Sequence, residues 1–288
     1  MLVLSSCMGI CQTRLTLPNT RLNSDPSQPR FFAVERHGAV ARCILDRPPA
    51  NALDAELHAD FALLLDLLEL DDGIRVVVLA SANEKIFMAG AKLEAFPDAH
   101  FSAEETARRV DLAQGTFLRV QRLPKPVVAE ITGHALGGGC ELALACDFRI
   151  MSEGSALIGC PEIRLGIIPG GGGTQRLPRL VGRSQATRLL LLGERLSALE
   201  ALEIGLVDAT GATAAATRDA ALALASRLAA MPAPGLRLIK RCLADGYDPT
   251  LEAGLRVERE AAIEALAQPE AREGLSAFLE RREPRFHT

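Results

Sequence analysis

Two glutamates set among glycines are the residues of this chain best suited to chemistry. The first, Glu141, lies in Ala135-Leu136-Gly137-Gly138-Gly139-Cys140-Glu141-Leu142, a stretch that follows an apolar run and leads into helix-forming residues. A helix start presents unpaired backbone N–H groups and a partial positive charge, and glycine lets a ligand come close to them. An anion, or an oxygen becoming anionic, is stabilised at such a place. Glu141 falls three residues after Gly138, on the same side of the first turn. Taken alone, the stretch is equally an ordinary helix opening in which Glu complements the dipole.

The second, Glu162, stands in Gly159-Cys160-Pro161-Glu162-Ile163. Pro161 suits the first position of a short helix, which puts Glu162 in its first turn, where it too would serve the dipole. The run Gly170-Gly171-Gly172-Gly173 then precedes Thr174-Gln175-Arg176. Successive glycines are costly in chain entropy and point to close backbone approach or unusual dihedrals. A third stretch, Phe87-Met88-Ala89-Gly90-Ala91-Lys92-Leu93, has the small residues of a loop whose backbone touches a ligand; an ordinary tight turn has the same composition.

Other chemistries find no support. The chain has no P-loop, GxGxxG, GxSxG or HExxH pattern. His37, His58, His100, His134 and His287 are scattered, and none of the seven cysteines forms a CxxC pair, so no zinc site is expected and reduced thiols are. Lys and Arg number 32 against 36 Asp and Glu, a net charge of -4 with both signs mixed; a nucleic-acid partner would call for a basic patch. No apolar stretch approaches the roughly 18 residues of a membrane span.

The elements that must hold these residues follow an α/β rhythm. Strands are expected at 31–35 and 40–45, turning at His37-Gly38, and at 76–79, 127–131 and 148–151. Asp54 reads as the N-cap of a helix carrying Leu57, Phe61, Leu64, Leu65 and Leu68, and Ser102 with Glu105 as a capping box for a helix reaching Arg122. Residues 133–139 read as a glycine-rich turn and 141–146 as helix. After Val207 the pattern becomes helical, with helices at 213–230, 234–245, 250–267 and 269–282. The expected organisation is an extension over residues 1–30, an α/β core over 31–207 and a helical region over 208–288. Arg14, Arg21 and Arg30, with no acid before Asp25, match a mitochondrial presequence in composition; a flexible tail or an over-extended start is the other reading.

At these motifs the chain resembles the crotonase superfamily, and within it the enoyl-CoA hydratases. Asn51-Ala52-Leu53, Ala89-Gly90-Ala91, Gly133 to Asp147, Pro161-Glu162, Leu165 to Leu177, Gly193 to Leu206 and Phe278 to Arg282 fall in family order. The resemblance implies a spiral of ββα units with a helical C-terminal region that packs at subunit contacts, in a homotrimer or homohexamer. It implies an acyl-CoA substrate with no separate cofactor, and an oxyanion hole at the N–H groups of Ala91 and Gly138. The loop from Ala89 through Ala91 and Lys92 to Leu93 would lie along the CoA, with Arg47 to Leu53 a weaker candidate. Glu141 would activate a water and Glu162 would protonate the α-carbon. Lys92 stands where many relatives have Asp, and Cys160 where many have Gln. Hydration of a 2-enoyl-CoA, in fatty-acid or branched acyl-CoA degradation, is the implied reaction; isomerisation, thioester hydrolysis and a non-catalytic acyl-CoA- or RNA-binding role are the alternatives. A cytoplasmic location is expected, or the mitochondrial matrix if the N-terminus is a presequence.

Overall fold

Short β-branched runs form the strands of this chain, and the glycine-bearing bends between them decide how the strands stack. The structure is a computed structural model that describes residues 28–92, 102–247 and 249–286. In chain order the strands are β1 (Phe32–His37), β2 (Val40–Leu45), β3 (Val76–Ser81), β4 (Ile86–Met88), β5 (Val127–Ile131), β6 (His134–Leu136), β7 (Phe148–Ser152), β8 (Ile158–Gly159) and β9 (Ala209–Gly211). The helices are α1 (Ala55–Leu70), α2 (Ala103–Arg122), α3 (Gly138–Ala145), α4 (Gly173–Leu192), α5 (Ala198–Glu203), α6 (Ala214–Ala229), α7 (Ala233–Gly246), α8 (Leu251–Leu266) and α9 (Pro269–Glu280). A 3-10 turn spans Glu162–Leu165.

Six strands form one sheet in the order β1-β2-β3-β5-β7-β9, and β4-β6-β8 form a second. Among the described residues β1 and β2 pair antiparallel and every other strand pair is parallel. The units β3-β4-α2, β5-β6-α3 and β7-β8-α4 each give one strand to the large sheet, one to the small sheet and a helix. This is the expected spiral of ββα units. The bends between the sheets leave no room for side chains: a Cβ on Gly133 would lie 2.1 Å from the Lys85 carbonyl carbon of the preceding unit.

Both N-caps form, but the expected capping box at Ser102 and Glu105 closes only by half, because the Glu105 carboxylate accepts from Arg109 Nη2 at 3.1 Å. Asp54 accepts from the Leu57 N–H at 3.1 Å and Ser102 from the Glu105 N–H at 3.1 Å, each satisfying an otherwise orphaned donor of the first turn. Leu57, Phe61, Leu64, Leu65 and Leu68 of α1 are buried in the main core. On the opposite face of the sheet, Ala221, Ala225 and Ala229 of α6 pack on Val76, Val78, Val128 and Ile150.

Four local expectations are corrected. The segment 133–139 is not simply a turn: His134–Leu136 is strand β6, held between β4 and β8. α3 begins at Gly138 rather than Glu141, because the chain turns from β6 directly into the helix. Pro161 precedes the 3-10 turn as its cap, with φ -85° and ψ 14°, and Glu162 is the first residue inside. Beyond Val207 one further strand, β9, joins the sheet beside β7 before the unbroken helical stretch starts at Ala214. α7 is tied back by Lys240, whose Nζ donates to Asp147 Oδ2 at 2.6 Å and to the Lys125 carbonyl at 3.0 Å. Among the described residues no helix is long and apolar enough to cross a membrane.

One ion pair lies inside this frame. Arg42 on β2 reaches across β3 to Glu130 on β5, Nε to Oε2 and Nη2 to Oε1, both at 2.8 Å. Arg42 is 3% exposed and Glu130 0%. Arg42 Nη1 also donates to the half-exposed Glu35 Oε2 at 2.9 Å; removing Glu130 leaves the buried guanidinium with that one partner, whereas replacing both Arg42 and Glu130 with apolar side chains leaves no buried charge. Glu130→Ala is therefore expected to lower unfolding free energy by about 3–5 kcal/mol in urea denaturation, and Arg42→Met with Glu130→Leu to recover most of that loss. A Glu130→Ala loss below about 1 kcal/mol would show that the pair is not anchoring the sheet.

Candidate active site

Glu141 projects from the first turn of α3, every residue of which is buried; its own exposure is 4%. Its Oε1 accepts from the N–H groups of Gly171 and Gly173, each at 2.8 Å, and the Gly172 N–H also acts on it. Successive backbone N–H groups curled around one anion form a nest, and this one continues into the start of α4, where the helix dipole adds positive potential. Burial pushes the Glu141 carboxyl above the usual glutamate range, while these N–H groups and the Arg176 guanidinium pull it back.

Glu162 is housed differently. Its Oε2 is buried and has no hydrogen-bond partner among the described residues. Its Oε1 lies 3.2 Å from the place a Cβ on Gly137 would occupy, so the glycine before α3 leaves space for this carboxyl. Burial pushes its pKa up to about 7, and the nearby charge of Glu141 adds to the rise. A buried acceptor without a partner is a place for a water or a ligand donor. Cys160 is buried next to both glutamates; contact with the Cys140 thiol, together with burial, raises its own thiol well above the ordinary range.

Beside the carboxylates, two backbone N–H groups converge. The loop 89–92 is stitched to residues 50–53 by Ala89 N–H to Ala50 O (3.1 Å), Leu53 N–H to Gly90 O (2.8 Å) and Lys92 N–H to Leu53 O (3.1 Å). This parallel bridge between Leu53 and Ala91 leaves the Ala91 N–H facing away from its partner strand. Gly90, at φ 89°, comes so close to α3 that its Cβ would lie 2.9 Å from the Gly138 nitrogen. Neither the Ala91 nor the Gly138 N–H makes a backbone hydrogen bond among the described residues. Lys92 is exposed beside them and acts on the Asp54 carboxylate. Leu93 lies outside the described residues.

The expected residues Glu141, Glu162, Ala91, Gly138 and Ala89 thus meet at one place. The sequence reading did not assign the partner of Glu141. The glycine run 170–173 signalled a close approach, but nothing local says that its N–H groups serve a carboxylate 30 residues earlier. Arg176 and Gln121, whose side chains bond each other at 2.9 Å, were not singled out. Chemically, the site offers one carboxylate solvated by N–H groups, one carboxyl near neutrality, and two donors for an oxygen that gains charge. That combination suits proton transfers next to a carbonyl. Among the described residues no group of His, Cys, Asp and Glu side chains is arranged to hold a metal ion.

Known proteins resemble this chain over most of its length. The family profile described as Enoyl-CoA hydratase/isomerase matches residues 35–288. The 2,3-dehydroadipyl-CoA hydratase of Escherichia coli is 39% identical over 88% of this chain and 97% of its own. The short-chain-enoyl-CoA hydratase of Clostridium acetobutylicum is 35% identical over 86% and 94%. The crystal structure of an enoyl-CoA hydratase from Bacillus anthracis superposes with a TM-score of 0.82 at 38% identity, covering 89% of this chain and 98% of that one.

Because Glu162 titrates higher in the folded chain (about 7) than its ordinary 4.5, its contribution to stability is complete below 4.5 and is lost as pH rises through 7. Glu162→Gln should therefore be more stable than the parent at pH 8, by about 1–2 kcal/mol after discounting for its partial contact with solvent. The difference should shrink steadily toward acid pH in paired denaturation curves. A gap independent of pH would contradict the raised value.

Proposed function

The chain belongs to the enoyl-CoA hydratase/isomerase family, and from that premise we propose that it adds water across the double bond of a 2-enoyl-CoA to form the 3-hydroxyacyl-CoA. The observation that carries this reading is the pairing of two unlike carboxyls, Glu141 in its N–H nest and Glu162 with an unpartnered oxygen, beside the unpaired Ala91 and Gly138 N–H groups.

In this reading the thioester oxygen accepts from Ala91 and Gly138. Those donors withdraw electron density from the β-carbon and stabilise the enolate-like charge that forms as water attacks; each is worth about 3–4 kcal/mol in such a hole. Glu141, ionised, takes a proton from the water as its oxygen bonds to the β-carbon. Glu162, protonated, delivers its proton to the α-carbon. The net change is one water added, with Glu141 left protonated and Glu162 ionised until the proton returns. Different surroundings drive the two carboxyls apart, which divides acid from base. The loop from Ala89 through Lys92 to Leu93 is assigned to the CoA, with Arg47 nearby; the CoA belongs to the substrate, and no separate cofactor is assigned.

The same reading extends to assembly as a homotrimer or homohexamer. Its support is the apolar surface of the C-terminal helices, where Leu251, Leu266, Phe278 and Leu279 are exposed, the last two at 80%; such surface marks an interaction site. A place in fatty-acid or branched acyl-CoA degradation follows from the substrate class. The free thiols Cys43, Cys140, Cys146, Cys160 and Cys242 support a reducing compartment such as the cytoplasm.

A panel of 2-enoyl-CoAs of different length and branching tests the reaction, following loss of the conjugated absorbance and identifying products by mass. A product heavier by one water is expected, and Glu141→Gln and Glu162→Gln should each slow its formation by at least about 10². Free CoA or a shifted double bond as the main product would move the chain to a sister reaction. Since Glu162 must be protonated to act, kcat/KM should fall on the alkaline side with an apparent pKa of about 7, and that limb should vanish in whatever activity Glu162→Gln retains.

A further inference from the structure

Behind the nest that holds Glu141 sits a second layer. Arg176, in the first turn of α4, donates from Nη1 to the Gly171 carbonyl at 2.8 Å and from Nε to Gln121 Oε1 on α2 at 2.9 Å. Its backbone N–H closes on the Gly172 carbonyl at 2.8 Å. Gly172 is at φ 113°, and a Cβ there would lie 2.1 Å from Arg176 Nη1, so the guanidinium fills the space that the missing side chain leaves. The peptide between Gly171 and Gly172 is gripped on both sides: its carbonyl by Arg176, its N–H by the field of Glu141. A chain of contacts therefore runs from α2 through Gln121, Arg176 and Gly171 to the carboxylate.

We propose that Arg176 is a positioning residue for Glu141: seated between Gln121 and the Gly171 carbonyl, its guanidinium fixes the 171–173 arch that aims the carboxylate at the water. The proposal rests on the reading of Glu141 as the base. The arch is all glycine and has no side chains of its own to hold its shape, so it needs an external clamp. A rigid planar fork with two directed donors supplies one, which a flexible ammonium does not. The guanidinium also places a positive charge near the carboxylate. The other titratable groups that act on this site are Glu162 and Cys160 from the segment facing α3, and Cys146 at the end of α3, which faces Arg176.

The test is steady-state kinetics with crotonyl-CoA from about pH 5 to pH 9 on the parent, Arg176→Met, Arg176→Lys, Gln121→Met, Glu141→Gln and the double variant Glu141→Gln with Arg176→Met. Arg176→Met should lower kcat by about 10–100-fold with KM changed less than about 3-fold, and move the acid limb of the profile to higher pH. Arg176→Lys should return the acid limb and recover only part of kcat, and Gln121→Met should show a smaller loss in the same direction. In the Glu141→Gln background, Arg176→Met should add little, because its effect passes through the missing carboxylate. If Arg176→Met fails to fold, Arg176→Lys and Gln121→Met carry the same comparison. An unmoved acid limb, or an undiminished loss in the Glu141→Gln background, would overturn the proposal while leaving Glu141 as base. Full activity in Glu141→Gln alone would instead overturn the reading on which it rests.

Discussion

Backbone passing backbone with no room for a Cβ is the constraint on which this site depends. A Cβ on Gly139 would lie 2.1 Å from the Met88 carbonyl, and one on Gly90 would lie 2.9 Å from the Gly138 nitrogen. At that distance the end of β4 and the start of α3 are held together as one surface. The Ala91 and Gly138 N–H groups reach the same place because successive turns of the spiral are stacked this closely. Side chains there would push the turns apart and separate the two N–H groups.

Three carboxylates, Glu130 and Glu141 buried and Glu162 partly so, show how the surroundings separate structure from chemistry. Glu130 is matched by both nitrogens of the Arg42 fork, which ties β2 to β5. Glu141 is held by N–H groups that stabilise charge without neutralising it. Glu162 retains an oxygen with no partner among the described residues, and burial pushes its pKa up to about 7. Glu130 and Glu141 are removed from bulk water and Glu162 keeps partial contact with it, so each gives up solvation to its own degree. What differs is how fully each is compensated, and the least compensated carboxyl is the one best able to give up a proton at working pH.

Much of this was legible locally. Asp54 and Ser102 cap their helices as their types and positions require, and the four C-terminal helices fall within a few residues of their expected bounds, since prolines and caps act within one turn of where they stand. Strand β6 was hidden because three residues between glycines carry too little periodicity to be seen. Its strand character comes from β4 and β8 on either side. The role of Pro161 was missed by one position, a distinction that dihedral angles settle and composition does not.

The sequence by itself determined most strands of the large sheet, the capped helices α1 and α2, the C-terminal helices and the order of the motifs, and through resemblance it pointed to the two glutamates and the two N–H positions. Those are matters of residue type and short-range spacing. Tertiary structure alone decided what surrounds each of them: that the glycines at 171 and 173 turn their N–H groups onto Glu141, that Glu162 keeps an oxygen unpartnered among the described residues, and that Arg176 and Gln121 meet behind the arch. The physical reason is that desolvation and hydrogen bonding depend on atoms brought together across tens of residues, and no local pattern records which of them meet.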